Sequence, residues 1–259
     1  MNILGQENPL LTFDNFFTIF SGRTLTKIMK IREWNIDVEN DWRKGFSSIM
    51  SLNNKTYYSI PGIFDFEHKN KNGTSQYLPN FSTMELGIDS RLAFHDQYYK
   101  AGWYRWFITT KYPVIKFRYQ LGFLSMNGKV TNYNKLLLTI NQRLQSAVGY
   151  TKYQFQAGKI FGTSPYPVSF VTAGNFGYFF DKYNYNMLRE FEFVTDQYLS
   201  LWVEHHFDGY FFNKIPIVNR LQMREVIYFK SLWGTYSKKN AELITPIPGT
   251  SSPYPIPYI

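Results

Sequence analysis

The sequence places four side chains that could do chemistry close together, namely Ser200, Glu204, His205 and His206. Two imidazoles beside a carboxylate could bind a metal ion, and a serine near a histidine could act as a nucleophile. In an extended strand, however, His205 points away from the face that the other three share. No HExxH spacing supplies a third metal ligand, and no G-x-S-x-G turn surrounds Ser200. We therefore interpret these residues as polar positions on a strand, and we expect no catalytic residue, no metal site and no cofactor.

The strand that carries them alternates between polar and apolar residues from position 191 to position 206. The segment from 224 to 233 repeats the pattern, and turn-forming residues separate the two. A period of two predicts a pair of long antiparallel strands with unlike faces. We expect the charges of one face to pair with each other in a water-filled interior. The candidate interior charges are Glu192, Asp196, Glu204, His206, Arg224 and Lys230.

The same alternation recurs in the segments 32–40, 46–58, 84–95, 103–111, 114–123, 135–145 and 153–161. It persists for about ten residues in segment after segment, which suits tilted strands that cross a bilayer better than the shorter strands of a soluble sandwich. A slip of one residue would turn Lys116 and Arg118 toward lipid, so these two cations fix the register. The candidate lipid-facing residues are Trp106, Phe117, Tyr119, Leu136, Leu138, Leu199, Leu201, Phe229 and Trp233.

These patterns predict an all-β fold, namely a partial antiparallel transmembrane β-barrel of about nine or ten long strands in up-and-down order. We divide the chain into an irregular N-terminal segment (1–30), the barrel (31–236) and a proline-rich tail (237–259) that is truncated or disordered. Proline cannot donate a ladder hydrogen bond, so the tail cannot be an interior strand. The first residues lack the apolar run of an export signal, and we therefore expect the chain to be a fragment of a longer precursor.

The composition agrees with this interpretation and excludes several others. Aromatic residues make up 20% of the chain, a content that favours strands and membrane interfaces. No apolar run reaches the length of about 18 residues that a transmembrane helix needs. The absence of cysteine excludes disulfides and thiolate catalysis. The net charge of +9 comes from Lys and Arg residues scattered through the strands, so we expect no nucleic-acid partner.

Four sequence segments resemble the barrel portion of a Bacteroidota outer-membrane family. They are AGKIFGTSPYP (157–167), AGN (173–175), YNMLREFEFVTDQYLSLWVEHHFDGYFFNKIP (185–216) and REVIYFKSLWG (224–234). The resemblance is best over residues 100–236. It implies that a carboxypeptidase-regulatory-like domain and an export signal precede the barrel, which has no known function in that family, and that further strands follow it.

That barrel is in turn similar in layout to outer-membrane assembly and translocation factors, in which a long loop late in the barrel folds into the lumen. The stretch from 158 to 177 resembles this loop in position, although the Arg-Gly motif expected at its tip is absent. The candidate residues of the in-folded loop are Gly158, Lys159, Gly162, Pro165, Tyr166, Pro167, Gly174 and Asn175.

Taken together, these features predict an integral β-barrel of the cell outer membrane, or a fragment of one. We expect a non-catalytic role in transport or in envelope and outer-membrane assembly. The expected partners are the bilayer of the outer membrane, with its lipopolysaccharide, and envelope proteins. The alternative is a soluble, aromatic-rich β-protein that binds glycans or a protein partner, and a requirement for detergent distinguishes the two.

Overall fold

The computed structural model describes residues 30–59, 66–69, 75–95, 97–101, 104–107, 112–172, 174, 184–188 and 193–241. The regular elements are β1 (Lys30–Arg43), β2 (Phe46–Tyr58), β3 (Phe66–Lys69), β4 (Ser75–Leu78), β5 (Asn80–Ala93), β6 (Tyr98–Ala101), β7 (Tyr104–Phe107), β8 (Val114–Met126), β9 (Lys129–Ser146), β10 (Gly149–Gly162), β11 (Phe170–Val171), β12 (Val194–Thr195), β13 (Gln197–His206), α1 (Pro216–Arg220), β14 (Val226–Thr235) and α2 (Lys238–Ala241). Strands dominate, and the all-β prediction is confirmed.

Eight strands form one antiparallel sheet in the order β1-β2-β5-β8-β9-β10-β13-β14. Sheet order follows chain order, so the predicted up-and-down arrangement is confirmed. The strands run from 10 residues in β13 to 18 residues in β9. Within the described residues, β1 pairs only with β2 and β14 only with β13, so the sheet is open at both edges. The pairs β3–β4, β6–β7 and β11–β12 form separate two-stranded ribbons.

Two of the connections between neighbouring strands are turns that the sequence dictates. Asn127 and Gly128 join β8 to β9 with φ values of 50° and 72°. Both values are positive, as a two-residue hairpin turn requires, and Asn-Gly is the pair that adopts them at least cost. Gly45, with a φ of 85°, has the same role in the turn from β1 to β2.

The pairing register divides the sheet residues between two faces. The inner face carries Glu85, Lys135 and Ser200, and the outer face carries Leu138 and Leu199. Residues directly opposite each other on neighbouring strands lie on the same side of a sheet. The outer-facing residues of each strand therefore lie beside the outer-facing residues of the next strand, from β1 to β14.

The buried core lies on the inner face, at one end of the sheet. Residues 163–172, here called the cap segment, leave β10 and fold back over that face. Their buried side chains Tyr166, Val168 and Phe170 belong to one apolar cluster with residues from six sheet strands and from β4 and β12. The sheet members of the cluster are Tyr57, Phe81, Leu124, Tyr133, Ile160 and Tyr198. We call this end of the sheet the capped end.

Two glycines make room for aromatic rings on the inner face. A Cβ atom on Gly122 would lie 2.2 Å from Cζ of Tyr133, and a Cβ atom on Gly158 would lie 2.3 Å from Cε1 of Tyr198. In each pair the ring comes from the residue directly opposite on the neighbouring strand. Each aromatic ring thus covers a glycine backbone, which helps to fix the register of two strand pairs, β8–β9 and β10–β13.

The structure corrects the prediction that residues 103–111 form a long strand of the sheet. Strand β7 covers only Tyr104–Phe107 and pairs with β6 in a separate ribbon within the connection from β5 to β8. Trp106 is therefore not a residue of the eight-stranded sheet, and its side chain lies outside the described part. Alternation of side chains is equally compatible with a short hairpin in a loop and with a strand of the main sheet, so the pattern could not distinguish them.

Candidate functional site

The outer face of the sheet exposes large apolar side chains in all eight strands, and we call it the outer belt. The exposed members of the outer belt are Trp34, Ile36, Val38, Met50, Met84, Leu86, Ile88, Phe117, Tyr119, Phe123, Val130, Leu144, Phe161, Leu199, Ile227, Phe229 and Trp233. Soluble monomers rarely expose contiguous apolar patches of more than a few hundred Å². A surface that crosses the whole sheet is therefore a candidate contact surface for lipid or protein.

Charged residues are distributed unequally between the two faces. The described strands of the eight-stranded sheet place no Asp or Glu on the outer face, whereas the inner face carries Glu33, Asp37, Glu39, Asp41, Glu85, Asp89 and Glu204. The outer-face cations of these strands lie near the two ends of the sheet, where long side chains can reach beyond an apolar zone: Lys30, Arg32 and Lys159 toward the capped end, and Arg43, after a bulge in β1, at the opposite end.

Eight of the nine predicted lipid-facing residues share the outer face. Phe117 lies directly opposite Leu138, Tyr119 opposite Leu136, and Leu199 opposite Trp233. Leu201 and Phe229 occupy the same face of β13 and β14. The structure therefore brings this set together on one surface, and the ninth residue, Trp106, lies in the β6–β7 ribbon.

The inner face contains a buried ion pair that sequence reasoning missed. Glu85, which is 5% exposed, accepts hydrogen bonds from the Tyr133 hydroxyl (2.7 Å) and from Nζ of Lys135 (2.8 Å). Strand β8 lies between these partners, and Gly122 leaves the space through which they meet. Arg118 pairs with Asp89, directly opposite it, and Lys55 pairs with Glu33 at 2.9 Å. The inner face is thus a network of cross-strand ion pairs.

The four residues that could do chemistry (Ser200, Glu204, His205 and His206) do not form one site. His206 contacts the Glu204 carboxylate and stacks on the Tyr150 ring at 4.4 Å. His205 lies on the other face, where Nδ1 is 2.8 Å from the Thr151 hydroxyl. The neighbours directly opposite Ser200, which is 2% exposed, are Gln156 and Leu232, and neither is a base. Among the described residues no three acidic or histidine side chains gather as metal ligands would.

The other predicted interior charges have separate positions. Lys230 lies on the inner face, donates a hydrogen bond to the Asn184 carbonyl (2.6 Å) and lies over the Trp202 ring. Arg224 was expected on that face, but β14 begins only at Val226. The Arg224 side chain is 74% exposed and lies 3.9 Å from Asp208. Glu192 lies outside the described residues.

The structure corrects the predicted start of the in-folded loop. Gly158, Lys159 and Gly162 belong to β10, which continues to position 162, and Lys159 is exposed on the outer face. At positions 158 and 162 a Cβ atom would clash with a neighbouring strand, so these two glycines reflect close packing in the sheet and do not mark a loop. Pro165 and Tyr166 are buried in the cap segment, and Pro167 lies between Tyr166 and Val168 in a single 3₁₀ turn. Gly174 forms an isolated bridge with Tyr185, and Asn175 lies outside the described residues.

A buried hydrogen-bond network fastens the cap segment to the end of β14. The Ser164 N–H donates to Oδ1 of Asn240 (3.1 Å), and the Asn240 amide donates to Asp196 (3.1 Å). Asp196, predicted as an interior charge on a long strand, instead lies in a bend before β13 and also accepts from the Ser237 N–H (2.9 Å). Burial raises the pKa of Tyr236 to about 12, so its hydroxyl stays protonated beside Ser169.

Replacing Asn240 by alanine should loosen the cap segment, because the Ser164 N–H and the Asp196 carboxylate each lose a partner. We expect the free energy of unfolding to fall by about 1–3 kcal/mol, the usual cost of an unpaired buried polar group. A urea titration in detergent micelles, followed by tryptophan fluorescence, measures this. The exposed neighbour Lys239, changed to alanine, is the control, and an equal effect of both changes would contradict a fastening role for Asn240.

The connection from β13 to β14 (residues 207–225, here called the β13–β14 loop) is held in shape by one carboxylate. Glu225 accepts hydrogen bonds from the N–H groups of Gly209 (3.0 Å), Phe211 (3.0 Å) and Phe212. Desolvation acts in the opposite direction, but these backbone donors keep the pKa of Glu225 below its usual value. The loop is therefore fixed at neutral pH, and this contribution is lost only as the pH falls through that lowered pKa.

The fold and the two faces define a class: an all-β protein whose long antiparallel sheet has one ionic face, partly covered by its own chain, and one exposed apolar face. The model of a family of unknown function (DUF5686), specifically its C-terminal domain, matches residues 3–247. The chain therefore belongs to that family. Comparison with curated proteins and comparison with solved structures give no match. Among the described residues no helix has the length and apolar character needed to cross a membrane.

Proposed function

We propose that the chain is the wall of an integral outer-membrane β-barrel and has a non-catalytic role in transport or in envelope assembly. The observation that carries the proposal is the outer belt, an exposed apolar surface on the face of the sheet where the described strands place no carboxylate. A bilayer stabilises such a surface, whereas water does not.

The inner face supports the same proposal. In a barrel, lumen residues alternate with lipid-facing residues and are polar. The pairs Glu85–Lys135 and Asp89–Arg118 join side chains from neighbouring and next-neighbouring strands, as expected for charges that face a narrow interior. In such a barrel the cap segment would narrow the interior at one end, and a constriction of this kind suits controlled passage or partner binding better than an open pore.

The proposal includes the finer assignment suggested by the sequence. The chain would be the barrel portion of a Bacteroidota outer-membrane protein, with a carboxypeptidase-regulatory-like domain upstream. Two further strands or more would pair with the open edges at β1 and β14, because unpaired edges in a membrane leave backbone groups without partners.

Flotation with lipid vesicles tests the membrane assignment. We expect the purified protein to require detergent and, after reconstitution, to float with vesicles even after a high-salt or alkaline wash. A soluble β-protein with an exposed binding surface would instead remain monodisperse in plain buffer and would be removed by the wash. That result would refute the membrane assignment and favour the alternative of a glycan-binding or partner-binding protein.

A further inference from the structure

The β13–β14 loop displays an unusual set of exposed apolar side chains at the end of the sheet opposite the cap segment. They are Tyr210, Phe211, Ile215, Ile217, Leu221 and Met223. Ile217 and Leu221 are 77% and 65% exposed and lie four positions apart along α1 and the residue that follows it, so they point to the same side. A connecting loop that faces water would be expected to expose polar residues instead.

The loop has a defined shape, because the Glu225 carboxylate binds three of its backbone N–H groups. Gly209, with a φ of 83°, permits the tight approach of Asn213, whose side chain would lie within 2.8 Å of a Cβ atom there. Apolar residues held on a fixed frame form a surface, and they do not collapse onto the sheet.

The charges that remain on this surface are positive. Glu225 is engaged by the backbone, and Asp208 lies 3.9 Å from Arg224. Lys214, which lies over the Tyr210 ring at 4.2 Å, and the exposed Arg220 are left to face outward. The apolar surface is also continuous along the chain with the outer belt, since Met223 is followed by the exposed Ile227 and Phe229 of β14.

From these contacts we infer that the β13–β14 loop is an interfacial anchor that inserts Ile217 and Leu221 among the headgroups of an anionic lipid layer. Lys214 and Arg220 bind the lipid phosphates, and the aromatic rings of Tyr210 and Phe211 lie at headgroup level, where aromatic residues are favoured. The inference rests on the proposed function, because it needs the sheet to be in a membrane. To that proposed function, the inference adds the class of lipid that is bound and the segment of the chain that binds it.

The absence of cysteine allows a site-specific test. Ile217→Cys, labelled with an environment-sensitive fluorophore, is reconstituted into vesicles of phosphatidylcholine with or without phosphatidylglycerol. Lipids that carry a nitroxide near the headgroup or at the chain end report the depth of the label, and iodide reports its exposure to water. Leu138→Cys in the outer belt tests membrane insertion, and Ala147→Cys, in the exposed turn from β9 to β10 at the same end, is the matched loop control.

We expect the label at 217 to be quenched by the headgroup nitroxide several times more strongly than the label at 147, and more strongly in anionic vesicles. Changing Lys214 and Arg220 to glutamine should lower the ratio of inserted to non-inserted label in anionic vesicles by about fivefold for each charge. The same change at Lys238 and Lys239, at the capped end, should have no effect.

The outcomes separate the two proposals. If the label at 138 is quenched at depth while the label at 217 is as accessible to iodide as that at 147, the anchor is refuted and the membrane assignment stands. If the label at 217 inserts equally in both vesicle types and the glutamine variants change nothing, the anionic lipid class is refuted. If the label at 138 is not quenched, the proposed function fails, and the anchor fails with it.

Discussion

Replacing Leu138 by arginine is expected to lower the free energy of unfolding of the membrane-inserted protein by about 2–4 kcal/mol, the cost of a cation at mid-membrane in a barrel. Leu138 lies near the middle of β9, directly opposite Phe117 and Ala157 on the outer face. An arginine there would have to leave the apolar zone or draw water into it. No described carboxylate on this face of the sheet could pair with it.

The matched control places the same charge on the other face of the same strand pair. Gln154 lies on the inner face of β10, directly opposite Asn141 and Trp202. In a polar interior, Gln154→Arg should cost much less than Leu138→Arg. Both variants are measured by reversible urea unfolding in phospholipid vesicles, with the wild type unfolded in parallel. Equal costs for the two faces would show that the outer belt does not meet lipid.

Replacing Lys135 by methionine should lower the free energy of unfolding by about 3–5 kcal/mol, at least as much as Leu138→Arg. The change leaves the buried Glu85 carboxylate without the cation that pairs with it. The Lys135 and Glu85 side chains are 15% and 7% exposed, and Tyr133 supplies the other hydrogen bond. Methionine retains most of the length of the lysine stem, so the change removes the charge with little loss of packing.

Two further variants separate the charge effect from general damage. Adding Glu85→Gln to Lys135→Met should restore most of the lost stability, since the uncompensated carboxylate is then absent. Asp89→Asn breaks the more exposed pair with Arg118 and should cost no more than about 1 kcal/mol. The same unfolding titration measures all of them. If Glu85→Gln brought no recovery, the destabilisation would not come from the unpaired carboxylate.

The assignment of residues to faces could be predicted because it depends on the backbone alone. Successive side chains in a strand point to opposite sides, so the alternation around Phe117, Leu138 and Leu199 was sufficient to group them. The turn at Asn127 and Gly128 is likewise encoded locally, because Asn-Gly readily adopts the positive φ values that a two-residue hairpin needs. The up-and-down order followed from these segments and turns, but the predicted nine or ten long strands exceed the eight that the described residues place in the sheet, because segment 103–111 contributes only the short strand β7.

The positions where the strands bend or end could not be predicted from the alternation of polar and apolar residues. Asp196 has the parity of an interior charge, yet it lies in a bend where Ser237 and Asn240 bind its carboxylate. Arg224 also has interior parity, but it precedes the strand. Alternation gives the face of a residue only if the strand continues through it, and the end of a strand depends on partners far away in sequence.

The sequence by itself therefore determined an all-β chain with one apolar and one ionic row in each long strand, because the pleat of the backbone imposes a period of two. Only the tertiary structure decided which ionic groups meet. Glu85 binds Lys135 across an intervening strand, and Ser164 binds Asn240, which is 76 positions away. Such contacts depend on the register of several strands and on the path of the connections, and these are set by packing of the whole sheet.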